Sequence, residues 1–159
     1  MELAAQLGQA LSRQQWVAAT AESCTGGGVS MAITEVAGSS AWFDRAFVTY
    51  SNEAKVQMLG VQEATLIEHG AVSEATVQEM AQGALVSSVA DISVAISGIA
   101  GPGGGTLDKP VGTVCFAWAD KTGWLAVETC LFDGDRQAVR TQAVEKALAG
   151  LHARLQSLE

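Results

Sequence analysis

The stretch WVAATAESCTGGGVSMAI, residues 16–33, constrains the fold more than any other part of the chain. Its first half is a run of small and β-branched residues with no polar alternation. Such a strand is buried on both faces, which calls for a largely parallel sheet with helices packed above and below it. The second half supplies the turn and the crossover. From Gly26 to Ala37, Val29, Ile33 and Val36 recur at helical spacing, and Gly38 closes the pattern as a helix stop.

The same punctuation repeats downstream. RAFVTYS reads as a second strand, followed by a helix from Asn52 to Leu59 that Gly60 ends, then a short helix over 62–69. Ser73 caps a long helix with Val77, Met80, Ala81, Ala84, Leu85 and Ser88 on one face. DISVAISG is a third buried strand and runs into the loop GIAGPGGGTLDKPVG. TVCFAWA and WLAVETCLF, joined by DKTG, form a hairpin. A first helix, Met1 to Gln14, puts Leu3, Leu7, Ala10 and Leu11 on one face. A last one, from about Asp135, carries Val144, Leu148, Leu151, Leu155 and Leu158 as its core stripe. The expected fold is α/β: one domain over residues 1–159, a three-layer α/β/α sandwich with a mixed, mostly parallel sheet whose hairpin forces one antiparallel strand.

Composition narrows the classes of function. With 48% hydrophobic and 16% charged residues, the chain is a compact globule rather than a disordered one. Its longest apolar run, around VCFAWA, is too short to span a bilayer, and no basic patch precedes an apolar core at the start. The expected setting is the cytoplasm, with no membrane partner. A net charge of −8 argues against nucleic acid, whose phosphates need a basic surface. Cys24, Cys115 and Cys130 are odd in number and lack CxxC spacing, while His69 and His152 lie far apart. Neither a disulfide framework nor a metal site is expected. Trp42 and Phe43, apolar beside a loop, hint at a homo-oligomer interface.

In open α/β sheets ligands bind beyond the carboxyl ends of the strands. AESCTGGG, TYSNEAK and SGIAGPGGG all fall there. Ser23 and Cys24 stand side by side where a helix should begin. Ser23 or Thr25 as a helix cap, and Cys24 as a small buried hydrophobe, are the ordinary uses of such residues. The alternative is a cradle: free N–H groups for a phosphate or an oxyanion, with Gly26, Gly27 and Gly28 allowing close approach. Lys55 falls in the first turn of its helix, where the dipole disfavours a cation and burial lowers the pKa further. A neutral lysine there can act as general base toward a serine; a solvated surface lysine is the plainer alternative. Tyr50, the only tyrosine, lies at the same edge. The third loop, with Ser97, Gly98 and Gly101, can hold a phosphate or ribose through its amides, although it is neither a Walker A loop nor a GxGxxG fingerprint. Arg136 and Arg140 are four apart at a helix start and call for an anion, either a ligand phosphate or Asp133 or Asp135.

Taken together and in order, TAESCTGG, GSSAWFDRAFVTYSNEAK, GAVSEATVQEMAQGAL, SGIAGPGGG, KPVGTV and GDRQAVR resemble the CinA C-terminal domain family over nearly the whole chain. The resemblance implies a five-stranded mixed sheet in an α/β/α sandwich. For the family's enzymes it implies hydrolysis of the carboxamide of nicotinamide mononucleotide to nicotinate mononucleotide and ammonia, without metal or cofactor. It implies a serine–lysine pair, falling on Ser23 and Lys55, an active-site tyrosine at Tyr50 and the loop serine at Ser97. The substrate contacts expected are Cys24, Thr25, Gly26, Gly27, Ser97, Gly98, Gly101, Arg136 and Arg140. In that scheme neutral Lys55 takes the proton of Ser23, and N–H groups at the start of a Thr25–Gly27 helix hold the oxyanion. The chain looks like the stand-alone form, without a molybdopterin-binding-like domain. A non-catalytic nucleotide-binding or regulatory paralogue, with the pocket but not the reaction, is the competing expectation.

Overall fold

A computed structural model describes residues 2–159. In chain order the elements are α1 (Glu2–Gln14), β1 (Ala18–Glu22), α2 (Gly28–Thr34), β2 (Phe43–Val48), α3 (Asn52–Leu59), α4 (Glu63–His69), α5 (Glu74–Val86), β3 (Ile92–Gly98), β4 (Thr113–Asp120), β5 (Leu125–Leu131) and α6 (Arg136–Ser157), with a 3-10 turn at Ser39–Ala41. Met1, placed in the first helix from sequence, lies outside the described residues.

The strands form one sheet in the order β2-β1-β3-β4-β5. β1 is parallel to both β2 and β3, whereas β4 is antiparallel to β3 and β5. Four strands therefore run one way and β4 alone opposes them, the mixed sheet expected. The three central strands are buried almost throughout, which is why they read as unbroken apolar runs. Side chains alternate between two cores. One lies under α1, α2 and α6, where Leu7, Leu11, Ile33, Leu148 and Leu151 meet Ile92, Val94, Ile96 and Phe116. The other lies under α3 and α5, where Leu59, Val77, Met80 and Ala84 meet Ala21, Ala95 and Ala117. Helices thus cover both faces.

Two expectations need correction. The helix after β1 begins at Gly28 and ends at Thr34, not at Gly26 and Ala37. Gly26 and Gly27 have φ of +59° and +103°, a left-handed conformation that cannot continue into a helix. Trp42 is only 6% exposed and belongs to the core. Its indole covers Gly8 of α1 so closely that a Cβ there would stand 2.3 Å away. Phe43 packs half-buried against the same core, so the two form no exposed patch. Among the described residues no helix is long and apolar enough to cross a membrane, and no cluster of side chains could hold a metal ion.

Candidate active site

The three informative loops converge as their strand directions require. β1, β2 and β3 are parallel neighbours, so residues 23–27, 49–52 and 98–105 meet at one sheet edge. They enclose a pocket of about 310 Å³ whose lining includes Ser23, Cys24, Tyr50, Lys55, Ser97 and Arg136.

Ser23 leaves the end of β1 with its amide donating to the Ile96 carbonyl at 3.0 Å, which ties it to the neighbouring strand. Lys55 comes from α3, whose first turn is fixed by the Ser51 hydroxyl accepting from the Ala54 amide. The side chain is 1% exposed. Its Nζ lies 3.1 Å from Ser23 Oγ and 2.9 Å from the Thr49 carbonyl oxygen. Both partners are neutral and no carboxylate pairs with this amine among the described residues. Burial therefore lowers the lysine's pKa below its ordinary value, opposed only by the nearby Cys24 thiol. A buried amine whose pKa is lowered, set beside a hydroxyl, is an arrangement that suits a serine nucleophile and its general base.

Cys24 is buried, and burial pushes its thiol up to about 11. At neutral pH it is a protonated, weakly nucleophilic thiol that packs in the core, and the adjacent serine is the better candidate.

The turn after Ser23 differs from expectation. Thr25 is buried, outside the pocket lining, and donates its hydroxyl to Glu22 Oε1 at 2.7 Å. Gly26 and Gly27 also lie outside the lining, and their positive φ shapes the turn. Nor is the start of α2 an open anion cradle. Its Val29 and Ser30 amides donate to the two carboxylate oxygens of Glu22, each at 2.9 Å. The Gly26 and Gly28 amides donate to Ser23 and Thr25 carbonyls. Glu22 is thus the residue that sequence reasoning missed. An acid at the end of a buried strand must find donors, but the pattern does not say that the first turn of α2 supplies them.

The two arginines have separate tasks. Arg136, first in α6, donates to the Gly101 carbonyl at 2.8 Å and to the Tyr50 hydroxyl at 3.3 Å, bridging two loops at the pocket mouth. Tyr50 is 63% exposed, not a core residue. Arg140, one turn on, donates to the carbonyls of Cys24 (3.1 Å) and Thr25 (3.3 Å) and braces the turn after Ser23 from behind. Neither arginine pairs with Asp133 or Asp135 among the described residues; Asp135 instead caps α6 through the Ala138 amide. Ser97 and Gly98 line the pocket from β3, and a side chain at Gly98 would strike Val114 on β4.

Residues 1–155 match the CinA C-terminal domain. The nicotinamide-nucleotide amidohydrolase PncC of Escherichia coli K12 is 59% identical over 151 residues, 95% of this chain and 92% of that protein. Among solved structures, the competence damage-inducible protein A (ComA) of Klebsiella pneumoniae subsp. pneumoniae MGH 78578 superposes with a TM-score of 0.95 at 44% identity, covering 99% of this chain and 98% of its own. The competence/damage inducible protein CihA of Agrobacterium tumefaciens gives a TM-score of 0.94 at 46% identity, over 98% of this chain and 94% of that one.

Proposed function

The chain belongs to the CinA C-terminal domain family, and from that premise we propose that it is a nicotinamide-nucleotide amidohydrolase. It hydrolyses the carboxamide of nicotinamide mononucleotide to nicotinate mononucleotide and ammonia. The observation that carries this reading is the 3.1 Å approach of the buried Lys55 amine to the Ser23 hydroxyl on the pocket wall.

In the first step neutral Lys55 takes the Ser23 proton while Oγ bonds to the carboxamide carbon. The resulting oxyanion is held by the amide of Cys24, which lines the pocket, since those at the start of α2 are committed to Glu22. Lysine then returns the proton to the departing nitrogen, the C–N bond breaks, and ammonia leaves an acyl-serine. In the second step Lys55 takes a proton from water as it attacks the ester. The proton passes to Ser23 Oγ as nicotinate departs. The scheme uses no metal ion. General-base assistance of this kind contributes about 10²–10⁴ in rate.

Ribose and phosphate extend toward Ser97, Gly98, Gly101 and the Arg136–Tyr50 bridge, where Arg136 supplies the one arginine in the lining. The same reading makes residues 1–159 one amidohydrolase domain with a small nucleotide as partner, acting in the cytoplasm in pyridine nucleotide salvage. Incubating the protein with nicotinamide mononucleotide and measuring ammonia tests the proposal. Equimolar ammonia and nicotinate mononucleotide are expected. Tight binding without ammonia release would instead favour a nucleotide-binding module.

A further inference from the structure

We propose that Glu22 is a positioning residue for this hydrolysis, fixing both members of the Ser23–Lys55 pair; the proposal rests on the amidohydrolase reading. Glu22 is fully buried and forms no salt bridge among the described residues. Burying a carboxylate without a counter-ion is costly unless donors surround it. Here they do. Oε1 accepts from Thr25 Oγ1 (2.7 Å) and the Val29 amide (2.9 Å), and Oε2 from Thr20 Oγ1 (3.1 Å) and the Ser30 amide (2.9 Å). The side chain thereby locks the turn that follows Ser23 onto the first turn of α2.

Its main chain reaches the other half of the site. The Glu22 carbonyl accepts from the Thr49 amide at 2.8 Å, and the Thr49 carbonyl accepts from Lys55 Nζ at 2.9 Å. One residue thus ties the nucleophile's turn by its side chain and the base's anchor by its backbone. Catalytic groups must be held to about half an ångström, and displacement of about 1 Å can cost about a hundredfold.

Glu22→Gln tests this. The amide keeps one acceptor oxygen but turns an NH₂ toward a pair of donors, so one of the Val29 and Ser30 amides loses its partner. With nicotinamide mononucleotide, kcat should fall about 10- to 100-fold with KM changed less than about threefold, because an orientation made only for the transition state has been lost. Thr25→Val removes a single donor and should lower kcat about 3- to 10-fold at unchanged KM. A residue that merely caps α2 would lower the melting temperature and leave kcat per folded molecule intact. A folded Glu22→Gln protein with wild-type kcat therefore overturns the proposal. Should Glu22→Gln fail to fold, Thr25→Val decides: wild-type kcat overturns the proposal, reduced kcat at constant KM supports it. Absence of turnover by the wild-type protein defeats the amidohydrolase reading and this proposal with it, whereas wild-type turnover with an unimpaired Glu22→Gln removes this proposal alone.

Discussion

Replacing Lys55 by methionine should flatten a pH dependence of stability that the wild-type fold carries. The amine is 1% exposed and bonded only to a hydroxyl and a carbonyl, and burial lowers its pKa in the folded protein. In the unfolded chain it titrates near its ordinary 10.5. Below the lowered value both states hold the proton, so this group contributes no slope. Between the lowered value and 10.5 the unfolded chain holds a proton that the folded one lacks, and stability rises with pH. The slope approaches one proton's worth, about 1.4 kcal/mol per pH unit. Lys55→Met leaves the Thr49 carbonyl unpaired, a constant cost of about 1–3 kcal/mol that drops out of the slope. Urea denaturation of both proteins, at half-unit steps from pH 5 to 10.5, reads the difference, because groups away from Lys55 titrate alike in both and the neighbouring Cys24 thiol, at about 11, titrates above the window. The wild-type advantage should grow with pH across the window, and turnover by the wild type should climb over the same range. Parallel stability curves throughout would mean that Lys55 keeps its proton when folded and cannot serve as the base.

The arginines can be separated kinetically. Arg136→Ala should raise KM for nicotinamide mononucleotide more than for its phosphate-free riboside, while Arg140→Ala, which frees two carbonyls behind Ser23, should chiefly lower kcat. Steady-state kinetics on both substrates checks this, and an Arg136 variant equally impaired on each would remove it from the phosphate. Gly83→Ala would put a methyl 1.9 Å from the Leu59 carbonyl oxygen, forcing α5 away from the end of the helix that carries Lys55. Overpacking of this kind costs about 1–3 kcal/mol, which a thermal melt should show as a drop of several degrees.

Much of this site was legible in the sequence because local pattern and strand direction suffice to assemble it. Unbroken small and β-branched runs mark β1 and β3 as central, and parallel strands bring Ser23, Lys55 and Ser97 to one edge whatever their separation along the chain. Other features depend on packing that no local pattern encodes. Glu22 lies in a motif full of polar residues, and its burial follows from α2 folding back over it. The division of labour between Arg136 and Arg140 turns on the phase of α6 against the sheet, since one helical turn separates the pocket mouth from the back of the turn after Ser23. Trp42 reads as a loop aromatic until the slot left by Gly8 is seen to receive it.

Ammonia release from nicotinamide mononucleotide, compared among the wild-type protein, Ser23→Ala and Cys24→Ala, reaches the core of the account in one assay. The Cys24 variant should turn over at a rate close to wild type, and the Ser23 variant should lose at least two orders of magnitude, about the least that removing the nucleophile should cost. Near-normal turnover by Ser23→Ala together with its loss in Cys24→Ala would contradict the account.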